Sequence, residues 1–486
     1  MSETQSDEEV PLRDRIAANP RPALQWLAGA LVLLAVEFGA FIGVIIQLAL
    51  TAVRLLPSNP GAAALASAGE AAESIPTLLT RGLIPNQGYQ TASGEWMGTF
   101  LGLEPAYAWL LRVVLIYAYA FVWLGWFWVG YRWFRKHYRY ADWTPRDDVV
   151  DRLRSHRWGQ FGFVLVLAFF VLALFAPALG PTTVDANIQS PYTHYTKYYD
   201  DEIESVSNVT VGTANLGSTS QGAGGENVGP WSYDDYGRFH PFGTLTDGKD
   251  LFTFMAAGAR ISLMIGLVSL LIAGFIATAL AMLTAYYKGL ADLAAVITSD
   301  SIQSLPVLLV LILASAVFGN TWIANLYNGA VLLIAIFSVT YWPFFWRALR
   351  GPALQISEQE WIDAAKSFGQ KPRTIMQKHM FPYVVGYLLI YASLTLGGII
   401  IAVAGLSYLG LGITPPTPEW GRAISAGQPY VATASWHISL IPGIMITLIV
   451  VGFNALGDGI RDALDPQSEG GEDTGGEAAV AGGGGA

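Results

Sequence analysis

The chain has 486 residues, of which 53% are hydrophobic and 13% are charged, and its formal net charge is -10. Soluble domains carry about 25% charged residues, so this composition favours a protein that has lipid as much of its solvent. The acidic balance argues against nucleic-acid binding, and the absence of cysteine excludes disulfides, thiolate nucleophiles and cysteine-ligated metal sites.

Apolar runs long enough to cross a bilayer occur along the whole chain. A hydrocarbon core of about 30 Å requires about 20 apolar residues in a helix. We predict spans near residues 24–54, 107–133, 158–179, 259–287, 293–318, 328–347, 382–404 and 437–457. The fold class expected is therefore an all-α integral membrane protein with about eight transmembrane helices. Continuous apolar runs favour helices over a barrel, whose strands alternate apolar and polar residues.

The placement of lysine and arginine predicts how these helices are oriented. Basic residues concentrate in segments 135–157 and 347–378, which we therefore expect to lie in the cytoplasm. Counting spans from there puts the loops 56–106 and 181–257 outside the cell. We expect a multi-pass protein of the cell (plasma) membrane with both termini in the cytoplasm.

The same patterns divide the chain into segments. They are a cytoplasmic tail (1–22), an additional transmembrane hairpin (23–134), a basic cytoplasmic linker (135–157), a first core helix (158–180), an extracellular loop (181–257), a transmembrane domain (258–458) and a cytoplasmic disordered tail (459–486). Within the extracellular loop, residues 181–230 are rich in small polar residues and are expected to form a loop or a small irregular cap.

No motif in the sequence predicts catalysis or cofactor binding by this chain. Residues 243–250 come within one position of a nucleotide-binding P-loop, but Asp250 stands where that loop needs Ser or Thr to hold magnesium. The six histidines are scattered without the spacing of a metal site. The chain is expected not to be an enzyme, so the energy for any active transport would come from a partner.

Residues 357–369 predict a short amphipathic helix on the cytoplasmic side. Ser357 and Glu360 have the spacing of a capping box, and Gly369 is a natural helix stop. The apolar positions, at the i, i+3, i+4 and i+7 spacing of one stripe, are Trp361, Ala364, Ala365 and Phe368. On periodicity alone, this stripe lies against the membrane surface, packs on its own bundle, or receives a partner.

This stretch resembles the EAA loop of ABC importer permeases, which has the pattern E-A-A-x3-G followed by a proline. The matching residues are Asp363, Ala364, Ala365, Gly369 and Pro382. Asp363 stands where the family usually has glutamate and keeps the charge on a shorter arm. In that family the helix docks on the ATP-binding subunit, so the resemblance implies a coupling helix that also includes Glu360, Trp361 and Phe368.

Other motifs resemble one branch of that family, the C-type permease subunit of dipeptide and oligopeptide ABC importers. They lie at residues 240–250 (HPFGTLTDGKD), 258–262 (GARIS), 406–412 (LSYLGLG), 415–421 (PPTPEWG) and 454–466 (NALGDGIRDALDP). Together they cover about residues 155–467. The resemblance implies a type I ABC importer permease core, to which the N-terminal hairpin is an addition. The turn at 457–459 is expected to end the last span.

The resemblance also implies partners and a mechanism. The partners are a second homologous permease, two ATP-binding subunits that bind ATP and magnesium, an extracellular substrate-binding lipoprotein and membrane lipid. The mechanism is alternating access, with a dipeptide or oligopeptide as substrate; nickel chelates, glutathione and other small solutes stay open. Two other classes also stay open: a secondary transporter driven by an ion gradient, and a membrane sensor that does not transport.

Three further groups of residues are candidates for function. Charges inside spans are functional candidates, and Asp300 in the fifth span is expected to face the bundle interior. Leu409, Gly410 and Gly412 either line the substrate path or permit close helix packing. Glu37 and Arg112 lie in adjacent spans of the N-terminal hairpin, where they either form an ion pair or leave Glu37 facing a water-filled vestibule.

Overall fold

The computed structural model describes residues 11–37, 61–73, 81–139, 145–219 and 228–464, together with residues 42, 45, 46, 49, 50 and 53. The chain divides into two compact units, Met1–Asp147 and Asp148–Ala486. Each is described by itself below.

The N-terminal unit is built around a long helix and a shorter apolar one. Its described elements are α1 (Leu12–Ala18), α2 (Arg21–Val36), α3 (Ala62–Glu73), the two-residue strands β1 (Tyr89–Gln90) and β2 (Trp96–Met97), and α4 (Pro105–His137). Helices α2 and α4 pack together, and two tryptophans join them reciprocally. The indole of Trp26 donates to the carbonyl of Trp126 at 3.1 Å, and the indole of Trp126 donates to the carbonyl of Trp26 at 3.2 Å.

The C-terminal unit contains the remaining elements, the first of which begins just before its boundary. In chain order they are α5 (Pro145–Ser155), α6 (Arg157–Leu174), α7 (Ala176–Leu179), β3 (Tyr195–Asp200), β4 (Ser205–Thr210), α8 (Val211–Gly217), β5 (Ser232–Tyr233), β6 (Phe239–His240), α9 (Leu251–Tyr287), α10 (Gly289–Gln303), α11 (Val307–Phe318), α12 (Ala330–Ser357), α13 (Glu360–Ser367), α14 (Pro372–Ile375), α15 (Phe381–Tyr408), α16 (Trp420–Gly427) and α17 (His437–Leu464). Helices dominate, as the sequence predicts.

The described residues contain six helices long and apolar enough to cross a membrane, or seven if one bent pair is counted as a span. The predicted total of eight is therefore not confirmed. The first predicted span is seen as the 16-residue helix α2, and most of residues 38–54 lie outside the described residues.

The fifth predicted span, 293–318, is not one straight helix. It is split into α10 and α11, which meet at an angle of 84°. Pro306 precedes α11 directly. A proline has no N–H to donate and disfavours helical geometry in the residue before it, so the helix ends and restarts there. The length of the apolar run alone did not reveal this break.

Helix α9 is the central element of the C-terminal unit, and it packs most extensively on α12. Asp250 caps its N-terminus by accepting a hydrogen bond from the Thr253 amide at 2.7 Å. Four fully buried alanines repeat at every fourth position, Ala273, Ala277, Ala281 and Ala285. Such small side chains allow a neighbouring helix to approach closely.

The approach of α6 to α17 depends on glycine. A Cβ atom on Gly162 would lie 2.4 Å from the amide nitrogen of Leu456, and one on Gly459 would lie 2.8 Å from the Cα atom of Gly159. The prediction that a turn at 457–459 ends the last span is wrong, because α17 continues without a break to Leu464. Glycine here serves helix contact instead of helix termination.

The segment between α7 and α9 is more regular than the predicted irregular cap. The six-residue strands β3 and β4 form an antiparallel hairpin in which Tyr195 faces Thr210, and β5 pairs with β6. Helix α8 follows β4, and the Thr210 side chain accepts a hydrogen bond from the Thr213 amide at its start. We call the described residues of 181–250 the cap.

The cap and α13 lie at opposite ends of α9. With 37 residues, α9 is about 55 Å long at 1.5 Å per residue. Asp250, at its N-terminus, belongs to the cap. At its C-terminus, Lys288 Nζ lies 2.9 Å from Glu358 Oε1, just before α13 begins.

Candidate functional site

Helix α13 occupies a short connection between two long apolar helices. It spans Glu360–Ser367, and Gln359 is its N-cap residue without a side-chain cap bond. The predicted capping box is wrong, because Ser357 is the last residue of α12 and its hydroxyl donates to the Leu354 carbonyl at 2.8 Å. The acidic Glu360 and Asp363 lie in the first turn, where their negative charges interact favourably with the positive end of the helix dipole.

The C-terminal end of α13 forms as the sequence predicts. Gly369 has a φ of +74°, the left-handed conformation that glycine adopts most easily. Its amide donates to the Lys366 carbonyl at 2.9 Å, and the Gln370 amide donates to the Ala365 carbonyl at 3.1 Å. These two bonds form a Schellman motif, which fixes both the end of the helix and the direction of the chain beyond it.

The apolar residues of α13 do not form the single stripe predicted from the sequence. Ile362 and Ala365, at i and i+3, are buried and hold the helix on its unit. Trp361, Ala364 and Phe368 remain exposed, and Phe368 is 87% exposed. Ile362 was not part of the predicted stripe, although an isoleucine three residues before Ala365 has the spacing of a second apolar face.

Contacts at its margins further fix α13. The ring of Trp361 stacks on that of Tyr383 with centroids 6.2 Å apart, although Trp361 is 46% exposed. Lys366 Nζ lies 5.6 Å from the ring centroid of Tyr286 near the end of α9, a cation–π distance. The same ammonium lies 3.0 Å from Asp363 Oδ1. The exposed apolar face is therefore presented by a helix attached to both α9 and α15.

Pro382, the last residue of the predicted motif, lies in the first turn of α15. Proline is tolerated there because the first amides of a helix have no partner within it. It is exposed, and only Phe381 separates it from a short π-helical turn, Met376–Met380. His379 in that turn lies 3.1 Å from Gln370 Oε1, which ties the chain after α13 to the start of α15.

The glycine-rich motif lies at the other end of α15. Gly410 has a φ of +75° and turns the chain, while Leu409 is 52% exposed. A Cβ atom on Gly412 would lie 2.3 Å from Ser407 Oγ, so this glycine is required by close packing. The Thr414 amide donates to the Asn328 carbonyl at 3.1 Å, and this joins the motif to the turn before α12.

Asp300 does not occupy the buried interior position expected for it. Its side chain is 53% exposed and forms an ion pair with Arg347 of α12. One turn further along α12, Arg350 pairs with Asp292. The two carboxylates of α10 thus fasten that helix to α12.

Glu37 and Arg112 are both completely buried in the N-terminal unit. Arg112 Nη1 donates to the carbonyl of Ile84 at 3.0 Å. Glu37 is the C-cap residue of α2. The ion pair between these two side chains stays a prediction.

A polar network in the cap was not anticipated from the sequence. His240 is buried, with Nδ1 2.9 Å from Asp250 Oδ2 and Nε2 3.7 Å from Asp234 Oδ2. Asp234 also accepts from Arg238 Nε at 2.5 Å. Asn187 completes the network by bonding to the backbone of Asp250 in both directions. Asp250, the last residue of the near-P-loop segment, thus caps α9 and bonds to His240.

The pKa values in this network follow from its geometry. Burial by itself would lower the pKa of His240, but the hydrogen bonds and charges of Asp234 and Asp250 outweigh it and raise that pKa. Burial by itself would raise the pKa of Asp234, yet His240 and Arg238 lower it to about 2. The buried charges of the cap are thus compensated locally. Among the described residues no cluster of three or more potential metal ligands occurs.

A second buried acid caps α16. Glu419 accepts hydrogen bonds from the amides of Gly421 at 2.7 Å and Arg422 at 3.3 Å. Its burial raises its pKa to about 7 in spite of these bonds. Trp420, the next residue, donates its indole N–H to the Met255 carbonyl at 2.7 Å. The PPTPEWG motif therefore fixes a short helix against α9.

Comparison with known proteins identifies the parts of the chain that carry these features. Residues 271–469 match the family of binding-protein-dependent transport system inner membrane components. Residues 144–199 match the N-terminal transmembrane domain of oligopeptide transport permease C. The N-terminal unit up to residue 143 lies outside both matches.

Two kinds of relative illustrate the similarity. A glutathione transport system permease protein of Pectobacterium atrosepticum is 37% identical over 243 residues, which are 49% of this chain and 78% of the relative. A dipeptide transport system permease protein of Alkalihalophilus pseudofirmus is 30% identical over 329 residues, which are 68% of this chain and 92% of the relative.

Proposed function

The chain belongs to the family of binding-protein-dependent transport permeases and is a multi-pass membrane subunit of an ABC importer, and we propose that α13 is its coupling helix. The observation that carries the proposal is the exposed face of Trp361, Ala364 and Phe368 on a helix anchored through Ile362. Burying such a face in a partner's groove releases water from apolar surface, which favours association.

We further propose that the partner at this face is an ATP-binding subunit. Two such subunits would hold ATP and magnesium, and a second permease would complete the pathway. The positive-inside bias of the segment around α13 supports a cytoplasmic location for it, with both chain termini on the same side. The cap, about 55 Å away along α9, would then face an extracellular binding lipoprotein.

The substrate we propose is a dipeptide or a short oligopeptide. The support is the dipeptide permease relative, which the chain matches over 92% of that relative's length. Glutathione, the solute named for other relatives, is itself a small peptide. Transport would proceed by alternating access. Closure of the ATP-binding subunits would move α13, and the contacts of Lys366 with Tyr286 and of Trp361 with Tyr383 would pass that motion to α9 and α15.

The coupling assignment is tested by co-purification from native membranes in mild detergent. Phe368→Asp places a charge on the exposed apolar face without disturbing a buried residue. Ser367→Asp is the matched control, because it adds the same charge to a neighbouring exposed position of α13. We expect the wild type and Ser367→Asp to retain both the second permease and the ATP-binding subunits, and Phe368→Asp to lose only the latter.

Two results would contradict the proposal. If Phe368→Asp retained the ATP-binding subunits as fully as the control, the exposed face would not be their docking site. If the wild-type chain purified without any ATP-binding subunit, a transporter driven by an ion gradient or a sensor that does not transport would replace the importer assignment.

A further inference from the structure

Arg260 is the one charged residue of α9, and it lies near the N-terminal end of that helix. All residues from Leu251 to Ala259 are buried, and Arg260 is the first residue of α9 whose side chain is partly exposed. It lies about 14 Å along the helix from Leu251. Arg260 therefore marks the point where the fully buried first turns of α9 give way to its partly exposed part.

The environment of Arg260 differs from that of the two arginines of α12. Arg347 and Arg350 of α12 each form an ion pair with a carboxylate of α10. Across the described residues, the guanidinium of Arg260 has neither a hydrogen bond nor an ion pair. A charge in a transmembrane helix is costly unless it is compensated, so a group from outside this unit is expected to supply the counter-charge.

The surroundings of Arg260 connect it to the predicted pathway residues. Tyr327, in the turn before α12, lies close enough to Arg260 to influence the pKa of its guanidinium. The neighbouring Asn328 bonds to Thr414 and Thr417, and so ties this turn to the loop that follows Gly412. Arg260 thus belongs to the end of the bundle that carries the glycine-rich motif.

The exposed face of α9 continues below Arg260 without another charge. Leu271 and Phe275, at i+11 and i+15, lie on the same side of the helix and are 71% and 77% exposed. A carboxylate that descends along this face meets a single cation, at its outer end. A guanidinium can bind a carboxylate through two parallel hydrogen bonds, which gives both strength and orientation.

We propose that Arg260 binds the carboxylate of the transported solute as the solute leaves the cap end and enters the membrane-spanning part of the pathway. This inference rests on the proposed function and adds a substrate requirement to it: a free carboxylate, such as the C-terminus of a peptide. A carboxylate of the second permease is the competing occupant, and the test below separates the two.

The test uses the full complex of both permeases, the ATP-binding subunits and the binding protein in proteoliposomes. The probes are trialanine and trialanine amide, which differ only in the C-terminal carboxylate. The measured quantity is the ratio of their ATP-driven uptake rates. Since every variant receives solute from the same binding protein, a change in that ratio between variants originates in the permease.

We expect Arg260→Gln to lower the preference for trialanine over its amide about tenfold, because a charge-assisted bidentate contact is lost. Arg260→Lys, which keeps the charge but not the bidentate geometry, should lower it less. Arg461→Gln removes an arginine near the far end of α17 and should leave the ratio unchanged.

Three results would overturn the inference. An unchanged ratio in Arg260→Gln would overturn it alone and leave the peptide importer assignment intact. Loss of the second permease from purified Arg260→Gln complexes would assign Arg260 to the subunit interface instead. Uptake of neither probe by the wild-type complex would overturn the peptide assignment and this inference with it.

Discussion

Lys288 Nζ lies 2.9 Å from Glu358 Oε1, and this ion pair joins the turn after α9 to the residues that lead into α13. Both side chains are exposed, so the pair contributes less than about 1 kcal/mol to stability. Its significance is positional, because the cation–π contact between Lys366 and Tyr286 links the same two segments. Helix α13 is therefore attached directly to the longest helix, whose other end reaches the cap.

The anchor of α13 should be separable from its exposed face. Ile362→Ala removes a fully buried side chain and is expected to destabilise the C-terminal unit by about 2–4 kcal/mol. Phe368→Ala removes a side chain that is 87% exposed and should change stability by less than about 0.5 kcal/mol. Thermal unfolding of the purified subunit measures both. Equal destabilisation by the two substitutions would contradict the assignment of an inner and an outer face.

The end of α13 depends on the left-handed conformation of Gly369. Gly369→Ala should cost about 1 kcal/mol, because a Cβ atom is disfavoured at a φ of +74°. Gly369→Asn should cost less, since asparagine tolerates this conformation better. Apart from Gly369 and its two neighbours in the chain, no atom of the described residues lies within 4 Å of the added Cβ position, so the cost reports backbone strain and not a clash. Chemical denaturation compares the three proteins, and equal stability of all three would rule out strain at this position.

The cap should lose local stability as pH rises above neutrality. Because its contacts with Asp234 and Asp250 raise the pKa of His240, the stabilisation is complete below about 6.5, the usual value in an unfolded chain. It is lost as the pH rises through the higher pKa of the folded state. Amide hydrogen exchange of residues 232–240, corrected for intrinsic rates, measures this loss.

His240→Gln should abolish this pH dependence and leave the hairpin of β5 and β6 less protected at pH 6. His194→Gln is the matched control, because His194 pairs with Asp185 in the same cap but is exposed. Protection that stays constant between pH 6 and pH 9 in the wild type would contradict a charged, stabilising His240. The low pKa of Asp234 adds a separate loss only under strong acid, as pH falls below about 4 toward 2.

Substitution of Glu419 should stabilise the protein at high pH, whereas substitution of His240 should destabilise the cap. Its pKa is raised to about 7 by burial, so the folded state favours the protonated acid. Stability is therefore lost as pH rises from about 4.3, the pKa in the unfolded chain, through 7, by about 4 kcal/mol at most. Glu419→Gln keeps an oxygen that can accept from Gly421 and Arg422 but cannot ionise.

The measurement is the melting temperature of the purified subunit at pH 5 and pH 8. We expect Glu419→Gln to gain stability relative to the wild type between these two values. Glu358→Gln, at an exposed carboxylate, should show no such gain. A wild type that loses no more stability than Glu419→Gln over this range would contradict a raised pKa at position 419.

Composition and the lengths of the apolar runs were enough to predict the class of protein and the locations of most of its helices. Long apolar runs can be satisfied in lipid only by helices, because each helix bonds its own backbone internally. The sequence also predicted the end of α13, since a glycine after a short amphipathic pattern commonly ends a helix in the left-handed conformation. The motifs from residue 240 to 466 were sufficient to indicate the importer family that the comparisons then showed.

The tertiary structure decided which side of each element meets a neighbour. Ile362 and Ala365 are buried, whereas Ala364 and Phe368 are exposed. The sequence of α13 does not show this difference, because the surface against which the helix packs comes from distant parts of the chain. Ser357 ended a helix and did not cap the next one.

Charge partners were decided in the same way. Asp300 pairs with Arg347, which lies 47 residues away in the chain. His240 lies between the carboxylates of Asp234 in the β5–β6 hairpin and Asp250 at the start of α9. Local periodicity and propensity act over a few residues, whereas burial and ion pairing depend on segments that only the folded chain brings together.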